Sequence, residues 1–307
     1  MQSIYMITIT MYIVGLCGGL GWQRLARPAA CGRRRSVSLC NPGIMVRMAE
    51  SDLICGVESF VALGDSFTEG LYDYGTSGGL VGWADRLAEV LSAQVPEFRY
   101  ANLAIRGKLV REVLQEQIDP AIAMAPDLVS FAAGGNDILR GTDVDKLAEL
   151  FDSGVARLQG AGCRVLIFTG FDPRDFPVIR LLRGKIAAYN MHLRGIADER
   201  GCDLVDLWSM RALRDPRAWS PDRLHLTTEG HRLVALRACD VLGLPASGDW
   251  RAPVNGRGLG GASWVAARRE DVRWAREYAM PWLNRRIRGT SSGDEVAPKR
   301  PELEPVR

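Results

Sequence analysis

Three residues of the chain have the types needed to attack a carbonyl. Ser66 lies in Gly64-Asp65-Ser66-Phe67-Thr68, and Asp222 and His225 lie in Ser220-Pro221-Asp222-Arg223-Leu224-His225. A serine hydroxyl is a poor nucleophile until a base takes its proton. His225 suits that task, since an ordinary imidazole with a pKa of ~6.5 both accepts and returns a proton near neutrality. Asp222 stands three residues earlier, near enough to hold one tautomer of the ring and to stabilise the imidazolium. The attacked carbonyl becomes an oxyanion and needs donors. The candidates are the backbone N–H groups of Ser66 and Gly107 and the side-chain amide of Asn136, in Gly134-Gly135-Asn136-Asp137. Gly107 has no Cβ, so its backbone can approach a substrate closely.

Each residue also has a plainer reading. Ser66 alone would serve as a helix N-cap after a strand. Asp65 and Asp137 are expected to bond loop backbone rather than to carry protons. The chain has three histidines. His192, within a helical pattern, is read as structural, and His231 as steadying the loop that bears His225. Three scattered histidines without matching carboxylates do not predict a metal site, and the chemistry needs no cofactor.

The elements that must position these residues alternate β and α. Strand-like apolar runs occur at 57–63, 98–103, 127–133, 164–169 and 203–207, short and rich in Val, Ile and Phe. Helical patterns separate them at 82–93, 109–124, 143–159, 178–199 and 228–240. The third has Thr142 as its expected N-cap and an apolar stripe of Val144, Leu147, Phe151, Val155 and Leu158. The spacing is that of βαβ units and predicts a parallel sheet with helices on both faces. Ligands bind such sheets beyond the carboxyl ends of the strands. Ser66, Gly107 and Asn136 each follow a predicted strand, and the Asp222–His225 pair follows the fifth.

Four sequence blocks, in order, resemble the SGNH (GDSL-type) hydrolases over about 57–240: Gly-Asp-Ser at 64–66, Gly107, Gly-Gly-Asn-Asp at 134–137, and Asp222-x-x-His225. The resemblance implies a flavodoxin-like three-layer α/β/α sandwich, with a five-stranded parallel sheet, and ester hydrolysis through an acyl-enzyme. The α/β-hydrolase elbow G-x-S-x-G is not matched, because Thr68 stands where its second glycine belongs. An acyltransferase with the same triad, or a catalytically silent binding module on the same fold, are the competing readings. The expected ligand is a small-molecule carboxylic ester, small or lipid-like. Loops 71–81 and 170–180 are expected to shape the pocket.

Composition sets the frame. The 307 residues are 47% apolar and 24% charged, ordinary for a globular protein. Basic residues concentrate at the ends, and residues 50–245 are mildly acidic, which argues against a nucleic-acid enzyme. The expected organisation is an extension outside the fold over 1–49, a catalytic domain over 50–245, a linker and basic aromatic helix over 246–289, and a disordered tail over 290–307. Gly256, Gly258 and Gly261 read as linker, because no strand precedes them. Trp274, Tyr278 and Trp282 repeat at i, i+4 and i+8, a stripe expected to dock on its own protein rather than on a membrane. Residues 1–22 carry no charge and are followed by five arginines. A cytoplasmic protein is expected, with anchoring or export through 1–22 as the alternative. Seven cysteines without C-x-x-C spacing fit a reduced setting. Nothing in the sequence sets the oligomeric state.

Overall fold

The computed structural model describes residues 56–76, 78–176, 179–254, 277 and 293–306. The expected extension over 1–49, the glycine-rich linker and the aromatic stripe lie outside the described residues.

Six strands form one sheet in the order β5-β4-β3-β1-β2-β6. They are β1 (Ser59–Gly64), β2 (Arg99–Asn102), β3 (Leu128–Ala132), β4 (Arg164–Phe168), β5 (Asp203–Val205) and β6 (Arg300–Pro305). The first five are parallel, as expected, and each lies inside or within a residue of the expected run. Side chains alternate along β1. Phe60 and Ala62 enter one core, with Trp83 and Leu87 of α2 (Gly82–Ser92) and Leu233 and Val234 of α8 (Thr228–Leu242). Val61 and Leu63 enter the other, with residues of α3 (Val110–Glu116), α4 (Ile118–Ala123), α6 (Val144–Gly160) and α7 (Arg183–Arg200). This is the three-layer sandwich.

Four features depart from expectation. The sheet has a sixth strand: β6 pairs antiparallel with β2, so the tail is not disordered throughout. A polar strand with two prolines looks unstructured by composition, but an edge strand can face water and spare those N–H groups. Leu303 and Val306 still pack against the two cores. Secondly, the expected helix 109–124 breaks at Gln117. Pro120 has no N–H to give to the preceding turn, so α3 ends and α4 begins. Thirdly, α6 is capped by Asp143 rather than Thr142, its carboxylate accepting from the Lys146 N–H at 3.1 Å. Finally, two short helices, α1 (Ser66–Glu69) and α5 (Gly135–Leu139), follow β1 and β3 directly. Both carry candidate site residues.

Among the described residues no helix is long and apolar enough to cross a membrane.

Candidate active site

β1 is the switch point of the sheet, since the chain runs to β2 on one side and to β3 on the other. Ser66 starts α1 immediately beyond it. Gly64 makes that exit possible: its φ is 146°, and a Cβ there would sit 2.2 Å from the Ala132 carbonyl oxygen of β3. The buried Gln117 amide clasps the same residue, accepting from the Gly64 N–H at 2.8 Å and donating to its carbonyl at 2.9 Å. Asp65 caps α1, its carboxylate accepting from the Phe67 N–H at 3.0 Å.

The Ser66 hydroxyl donates to His225 Nε2 at 2.9 Å, and His225 Nδ1 donates to Asp222 Oδ2 at 2.5 Å. Asp222 is buried and thoroughly bonded. Its Oδ1 accepts from the Ser220 hydroxyl at 2.5 Å, the Leu224 N–H at 2.9 Å and the His225 N–H at 3.1 Å. Burial alone would raise its pKa, but the hydrogen bond and charge of His225, with the Ser220 and Leu224 bonds, outweigh burial and hold it down at about 2. The carboxylate is therefore ionised throughout the range in which a histidine titrates. Its bond to Nδ1 selects the tautomer whose Nε2 has a free lone pair toward Ser66.

Asn136 is the second residue of α5, and its Nδ2 donates to Asp65 Oδ2 at 2.9 Å and to the Lys108 carbonyl at 3.1 Å. Gly107 sits one residue before Lys108, in a loop after β2, with φ of 80°, a conformation that favours glycine. That loop is tied to the helix that Ser66 begins. Glu69 of α1, 3% exposed, accepts from the Arg106 N–H at 3.0 Å and from its guanidinium at 2.5 Å. Among the described residues neither the Ser66 nor the Gly107 N–H is donated to another group.

A cavity of about 190 Å³ opens beside these residues. Asp65, Ser66, Asn136 and His225 line its polar end, and Phe67, Phe168, Phe171, Leu207, Leu213 and Trp219 line much of the rest. Gly107 and Asp222 are not part of its wall. Of the two loops expected to shape a pocket, 170–180 contributes Gly170, Phe171 and Ile179; 71–81 contributes none, although the Tyr72 ring lies 5.5 Å from that of His225.

Asp137 accepts from the Val110 N–H at 3.1 Å, a backbone bond as expected. His192 faces outward against Asp145, at 2.9 Å. His231 is buried in α8 beside Phe67, and burial drives its pKa down to about 3 despite the neighbouring Asp73 charge. Gln117 and Glu69 were missed. Both act across long sequence separations, and neither stands in a motif. Ser220 stands two residues before Asp222, near enough in the chain for its hydroxyl to reach that carboxylate, and this is the one local signal of the bond.

A doubly wound sheet with serine, histidine and aspartate in contact at its switch point has the layout of a nucleophilic hydrolase. The GDSL-like Lipase/Acylhydrolase family matches residues 62–233, more than half of the chain, and the chain belongs to that family. It is thus a carboxylic ester hydrolase acting on small-molecule esters. No curated protein matches. Among solved structures it is similar to a variant of Axe2, an acetyl xylan esterase from Geobacillus stearothermophilus (23% identity, 62% of this chain and 97% of that one, TM-score 0.52). It is also similar to TesA (22% identity, 60% and 97%, TM-score 0.52). An alpha/beta hydrolase enzyme from the metagenome of Lake Arreo, Spain, is a third (22%, 61% and 95%, TM-score 0.50). At these identities the likeness is one of fold.

Proposed function

We propose that the protein hydrolyses esters with a short apolar acyl group through an acyl-enzyme on Ser66, with His225 as the base and Asp222 as its orienter. The observation that carries this reading is the unbroken contact from Ser66 Oγ through the imidazole to the Asp222 carboxylate. His225 Nε2 takes the Ser66 proton as Oγ bonds to the ester carbon. The carbonyl oxygen gains the negative charge and is met by the Ser66 and Gly107 N–H groups and by an Asn136 N–H that leaves its resting acceptor, the Lys108 carbonyl. The imidazolium then gives its proton to the departing alkoxide, and the C–O bond breaks. In the second half, water attacks the acyl-enzyme. His225 removes one water proton and returns it to Ser66 Oγ, releasing the carboxylic acid.

The cavity supports the acyl preference. Its walls are mostly aromatic and aliphatic, and desolvating an alkyl chain there is favourable at about 25 cal/mol per Å². At about 190 Å³ the cavity has room for a short acyl chain rather than a long one. Among p-nitrophenyl esters, kcat/KM should rise from acetate to butyrate and hexanoate, then fall for dodecanoate. Ser66→Ala should abolish both turnover and fluorophosphonate labelling in a folded protein. Labelling that persists in that variant overturns the nucleophile assignment, and equal rates for acetate and hexanoate overturn the acyl pocket.

A further inference from the structure

Asn136 and Asp65 touch through a bond that the reaction scheme does not use. The Asn136 nitrogen faces two acceptors, Asp65 Oδ2 and the Lys108 carbonyl. Only the NH2 end of an amide can face two acceptors, so these partners fix which way the side chain is turned. They hold its nitrogen on the side of Asp65, the chain neighbour of Ser66, within the same cavity wall as Ser66 and His225. With the amide reversed, an oxygen lone pair would face a developing oxyanion and repel it.

We propose that Asp65 is a positioning residue for the reaction: its carboxylate keeps one N–H of the Asn136 amide, so that the other, given to the Lys108 carbonyl in the resting protein, is the one that turns to the oxyanion. This rests on the reading of Ser66 as nucleophile and Asn136 as a donor, and it extends that reading to a residue that acts through Asn136.

A second observation separates the role from simple capping. Capping Phe67 needs a side-chain oxygen, which Asn or Ser supplies as well as Asp. An ionised carboxylate is a costly choice here, because the group is 7% exposed. Burial lifts its pKa to about 6, against the lowering effects of the Phe67 N–H and the His225 charge, with Asp137 and Glu69 adding to the rise. Tyr189, across the same cavity wall, feels the Asp65 charge too and is itself pushed well above its ordinary value, chiefly by burial. A buried carboxyl with a raised pKa opposes folding at neutral pH. A cap alone gives no reason to keep that cost, whereas an acceptor for the Asn136 N–H does.

The test is a double-variant cycle with Asp65→Asn, Asn136→Ala and both together, reading kcat per fluorophosphonate-titrated site, KM and Tm at pH 8. In Asp65→Asn one side-chain oxygen stays with Phe67, and the new NH2 meets that of Asn136, donor against donor. The expected result is a fall in kcat of about 10²-fold, as for a lost oxyanion donor, with KM changed little and a Tm that still shows a folded protein at the assay temperature. The double variant should fall no further than Asn136→Ala alone. Asp65→Ser, which caps but is too short to reach Asn136, should lower kcat in the same way, and it serves if Asp65→Asn does not fold. Normal kcat in Asp65→Asn and Asp65→Ser, beside a slow Asn136→Ala, overturns the positioning role and leaves the donor assignment standing. Multiplicative losses in the double variant overturn it as well. Normal kcat in Asn136→Ala overturns the donor assignment itself, and the positioning role with it.

Discussion

His225 gives both its backbone N–H and its ring Nδ1–H to one carboxylate, that of Asp222, at 3.1 and 2.5 Å. The same aspartate therefore folds the turn that carries His225 and selects the tautomer of its ring. Oδ1 serves the turn and Oδ2 serves the ring, so the two duties can be separated by chemistry.

Asp222→Asn should separate them. The amide oxygen can keep the Ser220, Leu224 and His225 backbone bonds, while its NH2 faces Nδ1 and demands the tautomer protonated on Nε2. That tautomer cannot accept the Ser66 proton. The expected outcome is a kcat loss of up to ~10⁴-fold per titrated site, with Tm close to that of the parent. A normal kcat per site would remove Asp222 from catalysis and leave it as a turn residue.

Two buried groups should oppose each other in acid. The pKa of His231 is about 3 in the folded protein, against 6.5 ordinarily. Between those values the unfolded chain binds the extra proton, so this residue makes stability fall as pH falls, by about 1.4 kcal/mol per pH unit at most. Asp65 runs the other way. Its folded pKa is about 6 against 3.8, so between 6 and 3.8 the folded state binds the extra proton and stability rises as pH falls. In urea melts at pH 4, 5 and 6, His231→Phe should therefore gain stability on acidification relative to the parent, and Asp65→Asn should lose more than the parent does. Identical pH slopes for all three proteins would contradict both shifts.

Gln117 should matter to a residue 53 positions away in the chain. Gln117→Leu keeps the bulk but leaves the buried Gly64 N–H without its acceptor, while the Gly64 carbonyl retains the Ile105 N–H at 3.3 Å. An orphaned buried donor costs about 1–3 kcal/mol. Because Gly64 directs the chain into Ser66, kcat should drop as well, and the loss should persist below the melting transition. Gln117→Glu, which can still accept, should be milder in both measurements at a pH where it is protonated.

What the sequence disclosed follows from where each residue acts. Ser66, Asn136, Asp222 and His225 were legible because each stands directly after a strand-like apolar run, or in a short turn, and has a side chain of obvious chemistry. The three central strands β1, β3 and β4 were legible because they are buried on both faces and hence almost continuously apolar, and the β–α spacing carried the shorter β2 and β5. Gln117 and Glu69 were not, because their partners Gly64 and Arg106 lie 53 and 37 residues away. The α3–α4 break at Gln117 departs from the single helix expected over 109–124, although Pro120 marks its place in the sequence. Asp65 was expected to bond only loop backbone, and nothing local indicates that its second oxygen meets Asn136. Strand β6 was read as disorder because an edge strand needs little apolar burial, so its pattern resembles a solvated tail.

Strand β6 is also fastened to the rest of the fold by a charge pair. Lys299, at its entrance, reaches across to α2: its ammonium donates to the Leu80 carbonyl at 3.4 Å, to the Val81 carbonyl, and to the carboxylate of Asp85. Both charged side chains are largely buried. Burial raises the Asp85 pKa and lowers that of Lys299, and each charge opposes the other's shift. Lys299→Met keeps the apolar stem and removes the charge, leaving Asp85 buried without its cation, a loss of about 3–5 kcal/mol when a buried pair is broken. The loss should be greater at pH 8 than at pH 5, where the stranded carboxyl can protonate. Adding Asp85→Asn should restore most of the stability by removing the unpaired charge. β6 also covers the β2 edge, and Arg300 lies over the Tyr100 ring at 5.2 Å. Unfastening the strand should therefore expose that edge to pairing between copies, seen as concentration-dependent light scattering in Lys299→Met and its absence in the double variant. A single variant as stable and monodisperse as the parent would show that the C-terminal strand is held by its backbone pairing alone.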